Sequence, residues 1–408
     1  MQEIESTPDL RFSIFSEPWS RVKLNTIVKV NQGLAILTKN RFEKDGQNRY
    51  SYITIPFLLG GKCQYIENPS TSVICDIEDI IVTRTGSGVG QIWKGVHGVF
   101  HNNFFKVVPI NNNVERSFLY YYLNRPTIQK LIRSFAGVGA IPDLNHSEFY
   151  LLPYFQTNLH EQQKIADFLT IVNKKIQALE KKKALLEQYK KGVMQKIFKQ
   201  EIRFKQEDGS GYPEWEEKRL GDIVTFSKGK GISKSDIELE ATNPCIRYGE
   251  LYTQYGEVID NIVSHTNLQK EGLVLSEAND VIIPSSGETN IDIATASCVL
   301  YDGIILGGDL NIIKSKMNGV FLAYYMNSHL RLEIAKYGQG VSVVHLYSSH
   351  LKLLKLLVPS LNEQNKIANS LSAIDDKISV VTSQINKKKE WKKIMNKQNK
   401  KGPRILVF

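Results

Sequence analysis

The sequence predicts an α+β chain in which two tandemly repeated globular domains of mixed α/β content are separated by two long helices forming an antiparallel coiled coil. Three observations predict it. The chain repeats itself in order at a spacing near 200 residues. Each copy closes with a long stretch whose apolar residues step by three and four. The earlier part of each copy mixes short β-branched runs with Gly- and Asn-rich turns.

The repeat is visible residue by residue. Asp9-Leu10-Arg11-Phe12 resembles Glu201-Ile202-Arg203-Phe204. Trp19, Lys23-Leu24 and Ile27-Val28 match Trp215, Arg219-Leu220 and Ile223-Val224, and both stretches end on a glycine, Gly33 and Gly229. Asp79-Ile80-Ile81-Val82 before Gly86 matches Asp280-Val281-Ile282-Ile283 before Gly287. Phe118–Asn124 matches Phe321–Asn327, and Glu161-Gln162-Gln163-Lys164-Ile165-Ala166 matches Glu363-Gln364-Asn365-Lys366-Ile367-Ala368. The offset drifts only from 192 to 203 across the series. A period near 200 is too long for a solenoid and means two domains of one kind.

From Glu161 to Lys199 there is no proline and one glycine, Gly192. Ile165, Leu169, Val172, Ile176 and Leu179 form a heptad-like seam, repeated by Ile367, Leu371, Ile374 and Ile378. Met395 extends the second seam. At about 1.5 Å per residue the first helix is nearly 60 Å long, and its natural partner is its own duplicate. Residues 161–199 carry ten Lys against four acidic residues, and 363–408 carry eleven Lys/Arg against four. Lys181-Lys182-Lys183 and Lys387-Lys388-Lys389 read either as solvated helix faces or as contacts with a DNA backbone or a partner protein.

The whole chain has 408 residues, 42% hydrophobic and 23% charged, with a net charge of +10. That composition buries sizeable cores, and the basic balance favours a polyanionic partner, nucleic acid first. Cys63, Cys75, Cys245 and Cys298 lack zinc-site spacing and read as reduced thiols packed like small apolar residues. The polar, acidic start and the short apolar runs predict a cytoplasmic chain without a membrane span.

Catalytic signatures are missing. Gly61-Lys62-Cys63 and Gly229-Lys230-Gly231 fail as phosphate-binding P-loops. Gly86-Ser87-Gly88-Val89-Gly90 lacks dinucleotide-binding spacing and reads as a turn whose backbone N–H groups could touch DNA phosphates. Asn68-Pro69-Ser70-Thr71 and Asn243-Pro244-Cys245-Ile246 lack the aromatic residue of amino-methyltransferases. The sequence therefore predicts no catalytic residue and no metal site.

Two halves with Trp-x-x-x-(Lys/Arg)-Leu-x-x-Ile-Val and a Glu-Gln-x-Lys-Ile-Ala helix resemble type I restriction-modification specificity subunits. The segment Leu185–Phe198 is also similar to the family's first helix end. In the second copy, the residues from Lys392 to Phe408 depart from that pattern. The resemblance implies that residues 1–157 and 201–360 are target-recognition domains, 158–200 and 361–400 spacer helices, and 401–408 a divergent tail. It implies that each domain reads one half of a bipartite, asymmetric site on double-stranded DNA, as part of phage defence. Two modification (methyltransferase) subunits would dock on the helices and bind S-adenosylmethionine, while restriction/translocase subunits would use ATP and Mg. The chain itself would hold no cofactor and catalyse nothing. Two alternatives stay open: a DNA-reading subunit of another methyltransferase-based defence system, and a coiled-coil protein-binding scaffold.

Candidate DNA-binding residues lie in polar loops, since phosphate contacts position a reader and base contacts specify the sequence. In the first copy these are Lys39, Arg41, Arg49, Arg84, Thr85 and Ser87. In the second they are Lys228, Lys230, Arg247, Ser285, Ser286, Thr289 and Asn290, with Lys234 and Tyr248 nearby. The Arg84 and Ser285 loops are the strongest candidates, because they occupy the same place in both copies and differ in sequence.

Overall fold

A computed structural model describes residues 5–6, 11–137, 139, 141–238 and 240–396 of the chain. Asp9, Leu10, the Met395 side chain and the tail 401–408 lie outside the described residues. The chain divides into two compact units, Met1–Glu180 with Gln384–Phe408, and Lys181–Ser383. Among the described residues no helix is long and apolar enough to cross a membrane.

In the first unit, strands Val28–Gln32, Phe104–Pro109, Ile80–Thr83 and Ile92–Trp93 form an antiparallel sheet in that order. Side chains alternate between faces with the strand period of two. Ile80, Val82, Phe105 and Val107 face the helices, whereas Ile81 and Phe104 pack with Ile53, Cys75 and Phe100 on the other side. Burial on both faces explains the unbroken apolar run Ile80-Ile81-Val82. A second four-stranded sheet orders Tyr65–Glu67, Arg49–Ile53, Gly98–Phe100 and Ile74–Cys75, its middle pair parallel. The run Ser51–Ile55 reads as a strand, but the strand stops at Ile53. Thr54 caps a short helix, Ile55–Leu58, by accepting from the Phe57 N–H.

The second unit repeats this frame. Val224–Lys228, Leu310–Ser315 and Val281–Pro284 are the matching strands of a five-stranded sheet. Asn243–Ile246 and Ile305–Leu306 form the matching parallel pair. Helical patterns around 118–134 and 321–337 each resolve into two helices, Arg116–Leu123 with Pro126–Phe135 and Gly319–Ser328 with Arg331–Lys336. Pro126 explains the first break, since a proline holds the preceding residue out of the α region. Arg125 is accordingly extended, with ψ 139°.

The long helices are Leu159–Phe198 and Leu361–Asn396. They pair antiparallel within each unit. In the first unit the Phe168 and Trp391 rings meet at 5.6 Å and Lys389 reaches Glu180 at 2.6 Å. In the second unit Lys190 bonds Asp375 and Glu257, each at 2.8 Å, while Met194, Ile197 and Phe198 share a core with Ile367 and Leu371. The direction corrects a direct seam-on-seam match of Ile165–Ile176 with Ile367–Ile378, because antiparallel partners meet start to end. Ile165, with Leu169 beside it, packs into the first domain's core. Ile176 and Leu179 are buried, Val172 and Ile378 half-buried, and Ile374 lies against the second core.

The Glu-Gln motif fastens each helix to its domain. The fully buried Glu161 carboxylate accepts from Arg11 Nε and Nη2, both at 2.6 Å, from Trp19 Nε1 at 3.2 Å and from the Thr157 hydroxyl. Glu363 repeats the arrangement with Arg203 at 3.2 and 3.0 Å and Trp215 Nε1 at 3.0 Å. The neighbouring glutamine bridges backbones. Gln162 Oε1 accepts from the Glu115 N–H and Gln364 Oε1 from the Asn318 N–H, at the cap of the helix that follows. Buried polar groups are costly unless paired, so this network fixes where each domain ends and its helix begins.

Candidate nucleic-acid interface

The loops singled out from the sequence are held by one backbone frame in both units. Gly33 passes so close to the parallel strand's end that a Cβ would sit 2.2 Å from the His101 carbonyl oxygen, and at Gly229 one would sit 2.0 Å from that of Gly307. Only glycine fits there. The next N–H groups close the crossing: Leu34 donates to Phe100 O at 3.0 Å, and Lys230 to Leu306 O at 2.9 Å. The Arg84 and Ser285 loops are matched as well. The Arg84 N–H donates to Asn103 O and that of Ser285 to Asp309 O, while the carbonyls accept from Leu144 and Leu346. One frame thus carries an arginine in the first unit and a buried serine in the second.

The side chains divide sharply into engaged and open groups. Arg84 forms a two-point ion pair with Asp143, at 2.9 and 3.1 Å, and also reaches Gln32. Arg41 donates twice to the Ile36 carbonyl and lies over the Tyr52 ring. Arg49 pairs with Glu67 and stacks on Phe42 at 3.7 Å. Arg247 donates to Glu250 at 3.1 and 2.9 Å. These arginines shape the loops from within. Thr85 bridges to Asp143, Ser286 pairs with His345 in a two-stranded ribbon, and the Thr289 hydroxyl donates to Asp292. Lys39, Ser87, Lys228, Lys230 and Asn290 are exposed. In the glycine turn, the N–H groups of Gly86, Val89 and Gly90 already donate to Pro142, Gly86 and Thr83 carbonyls. Those three N–H groups are engaged within the fold, which leaves those of Ser87 and Gly88 for any contact outside it.

The second unit also has a groove of about 840 Å³ beside these loops. Exposed Lys234, the half-buried Arg247 and the Tyr248 and Tyr252 rings meet Glu288 and Asp309 across it. Burial, followed by the neighbouring Tyr248 hydroxyl and the charges of Glu288 and Asp292, raises the Tyr252 pKa, so its hydroxyl stays a donor. Tyr252 and the Gly307-Gly308-Asp309 wall escape a reading by local motif. The helix Tyr248–Thr253 that carries Tyr252 is positioned by the buried Glu250, which accepts from Ser264 14 residues downstream. In the first unit, burial lowers the pKa of His101 and of His146. Both favour the neutral ring, and His146 shares Gln32 with Arg84. The arrangement offers hydrogen-bond donors, acceptors and ring faces at loop ends, which suits recognition by contact. Cys75, Cys245 and Cys298 are buried and Cys63 half-buried, and all four are free thiols. Among the described residues no cluster of His, Cys, Asp or Glu could hold a metal ion.

The family model for the type I restriction modification DNA specificity domain matches residues 16–188 and again 212–390. This chain belongs to that family. The chain is a type I specificity subunit, and its two family domains each take in one globular part and most of the helix that follows. It is similar to the type I restriction enzyme MjaVIII specificity subunit of Methanocaldococcus jannaschii, 24% identical over 93% of this chain and 92% of the relative. It is also similar to the putative MjaX specificity subunit of the same organism, 28% identical over 78% and 77%. Among solved structures, the type I restriction-modification S subunit from M. genitalium shares the fold with a TM-score of 0.65 at 16% identity, covering 96% of this chain and 98% of that one.

Proposed function

We propose that this specificity subunit reads a bipartite, asymmetric site on double-stranded DNA, one globular domain per half-site. The observation that carries this reading is the matched frame with unmatched loops. Arg84 and Ser285 hold the same backbone bonds, yet one loop presents an ion-paired arginine and the other a buried serine ribbon. Two readers of different half-sites require a constant scaffold and variable contacts. Exposed Lys39, Ser87, Lys228, Lys230 and Asn290, with the Lys234–Tyr252 groove, are the contacts to DNA.

The long helices serve as spacer and as docking surface for two modification subunits that carry S-adenosylmethionine chemistry. Restriction/translocase subunits would add ATP- and Mg-dependent action, and this chain would contribute recognition without catalysis, in the cytoplasm. The test exchanges residues 12–153 for the matching part of a relative and sequences the methylated bases of the host genome. One half of the methylated motif should change and the other should persist. Change in both halves, or in neither, would overturn one-domain-per-half reading.

A further inference from the structure

Arg125 is the N-cap of the helix Pro126–Phe135 and has no counterpart in the second unit, where Ser328 stands at the matched offset. It is only 8% exposed, more than nine-tenths buried. Among the described residues no carboxylate lies within ion-pair distance of it. Its guanidinium lies over the Tyr122 ring, 4.9 Å from the centroid, and its side-chain partner is the neutral Tyr122 hydroxyl, which also donates to Pro153 O and accepts from the Phe155 N–H. A buried charge without a counter-ion is costly, so the site is built for something that supplies one.

A second, independent observation sits two residues on. The Thr127 hydroxyl is buried and has no hydrogen-bond partner. Arg125 and Thr127 open into the same pocket, of about 470 Å³, within the range of small-ligand sites. Lys130 and Ser134 continue the polar side along the helix, Ile128 and Phe155 form an apolar floor, and no acidic residue lines the pocket. The helix has ten residues, and the free N–H groups and positive dipole end of its first turn face an anion favourably.

We propose that this pocket binds a phosphate oxyanion. Arg125 and the first-turn N–H groups hold the oxyanion, the Thr127 hydroxyl donates to it, and the apolar floor receives the group that carries it. The phosphate comes either from a free nucleotide or from a DNA backbone. The site belongs to one unit only, so it is not part of a surface that both units share. Its existence does not rest on the half-site reading above.

The test uses the full chain. Inorganic phosphate is titrated at constant ionic strength and followed by phosphorus NMR linewidth and by thermal unfolding. Two variants accompany the wild type: Arg125→Ser, which installs the second unit's own residue, and Thr127→Val. Wild type should bind saturably, Arg125→Ser at least tenfold more weakly, and Thr127→Val with a smaller loss.

Duplex binding across a salt series separates the sources. For a backbone phosphate, duplex displaces inorganic phosphate and Arg125→Ser lowers the salt slope by about one. For a free nucleotide, AMP binds more tightly than inorganic phosphate, still binds when duplex is saturating, and the slope is unchanged. No saturable phosphate binding by wild type, or phosphate responses of Arg125→Ser and Thr127→Val both identical to wild type, would overturn the proposal. If Arg125→Ser fails to fold, Thr127→Val decides alone, and a phosphate response identical to wild type overturns the proposal.

Discussion

Replacing Glu161 by Gln should loosen the first unit far more than the same change at Glu363 loosens the second. The shapes are nearly equal, but an amide presents hydrogens where Arg11 and Trp19 both donate. Arg11 would be left with its side chain 7% exposed and without a counter-charge. Breaking a buried pair on one side costs about 3–5 kcal/mol. Arg203 is better provided for: it is 21% exposed and keeps Glu214 at 3.1 Å and the Pro213 carbonyl at 2.6 Å. Losing Glu363 should therefore cost only about 2 kcal/mol, the range of a hydrogen bond to a charged group. Hydrogen exchange by mass spectrometry on the full chain reads both. Peptides covering Trp19–Lys23 should exchange about two to four powers of ten faster in Glu161→Gln, at 1.4 kcal/mol per tenfold. The double variant Arg11→Met with Glu161→Gln should recover much of the loss, because an apolar replacement removes the stranded charge. Equal effects at the two glutamates, or no recovery in the double variant, would refute this account of the motif.

Further outcomes follow from the same geometry. Four residues inserted after Leu179 in the first helix alone should abolish assembly with the modification subunits, since Ile165 and Phe198 are held in separate cores while the antiparallel partner keeps its length. Seven residues added to both helices, after Leu179 and after Ser383, should preserve the seam and lengthen the unread gap by about 10 Å, roughly three base pairs. Genome-wide methylation mapping checks this, and an unchanged gap would show that the helices are not the ruler. Burial raises the thiol pKa to about 12 at Cys75 and Cys298 and to about 11 at Cys245. Native alkylation at pH 8, mapped by mass spectrometry, should modify Cys63 and spare the other three; equal labelling would contradict the buried cores. His101 and His146 have folded pKa values below their ordinary 6.5. The unfolded chain therefore takes up protons first, and first-unit stability is full above about pH 6.5 and falls as pH drops below it. His146→Gln should flatten that fall in urea melts between pH 8 and 5, and an unaltered slope would count against it.

The duplication and its helical ends were legible because they rest on local pattern. Trp19 and Trp215, the Glu-Gln motifs and the three-four apolar steps all read within a few residues. The break at Pro126 was equally available from proline's effect on its predecessor. What the motifs do was not legible. Arg11 and Glu161 lie 150 residues apart, and no local rule couples them. The loop arginines illustrate the same limit. Arg84 reads as an open loop arginine until Asp143, 59 residues away, is seen to pair with it. Arg125 shows the reverse: nothing in its neighbourhood of the sequence marks it as buried and without a counter-ion. Sheet order was beyond reach because the strands are two to six residues long and pair across intervening loops.

The division of the chain has a consequence for the order of synthesis. The second unit is one continuous stretch, Lys181–Ser383, whereas the first also takes in the end of the second long helix, from Gln384 to Asn396. During translation the unit begun second is the first to have all its parts. The unit begun first waits for Lys389 to meet Glu180 and for Trp391 to meet Phe168. A premature stop just after Ser383 would therefore spare the domain it follows and injure the one at the opposite end of the gene.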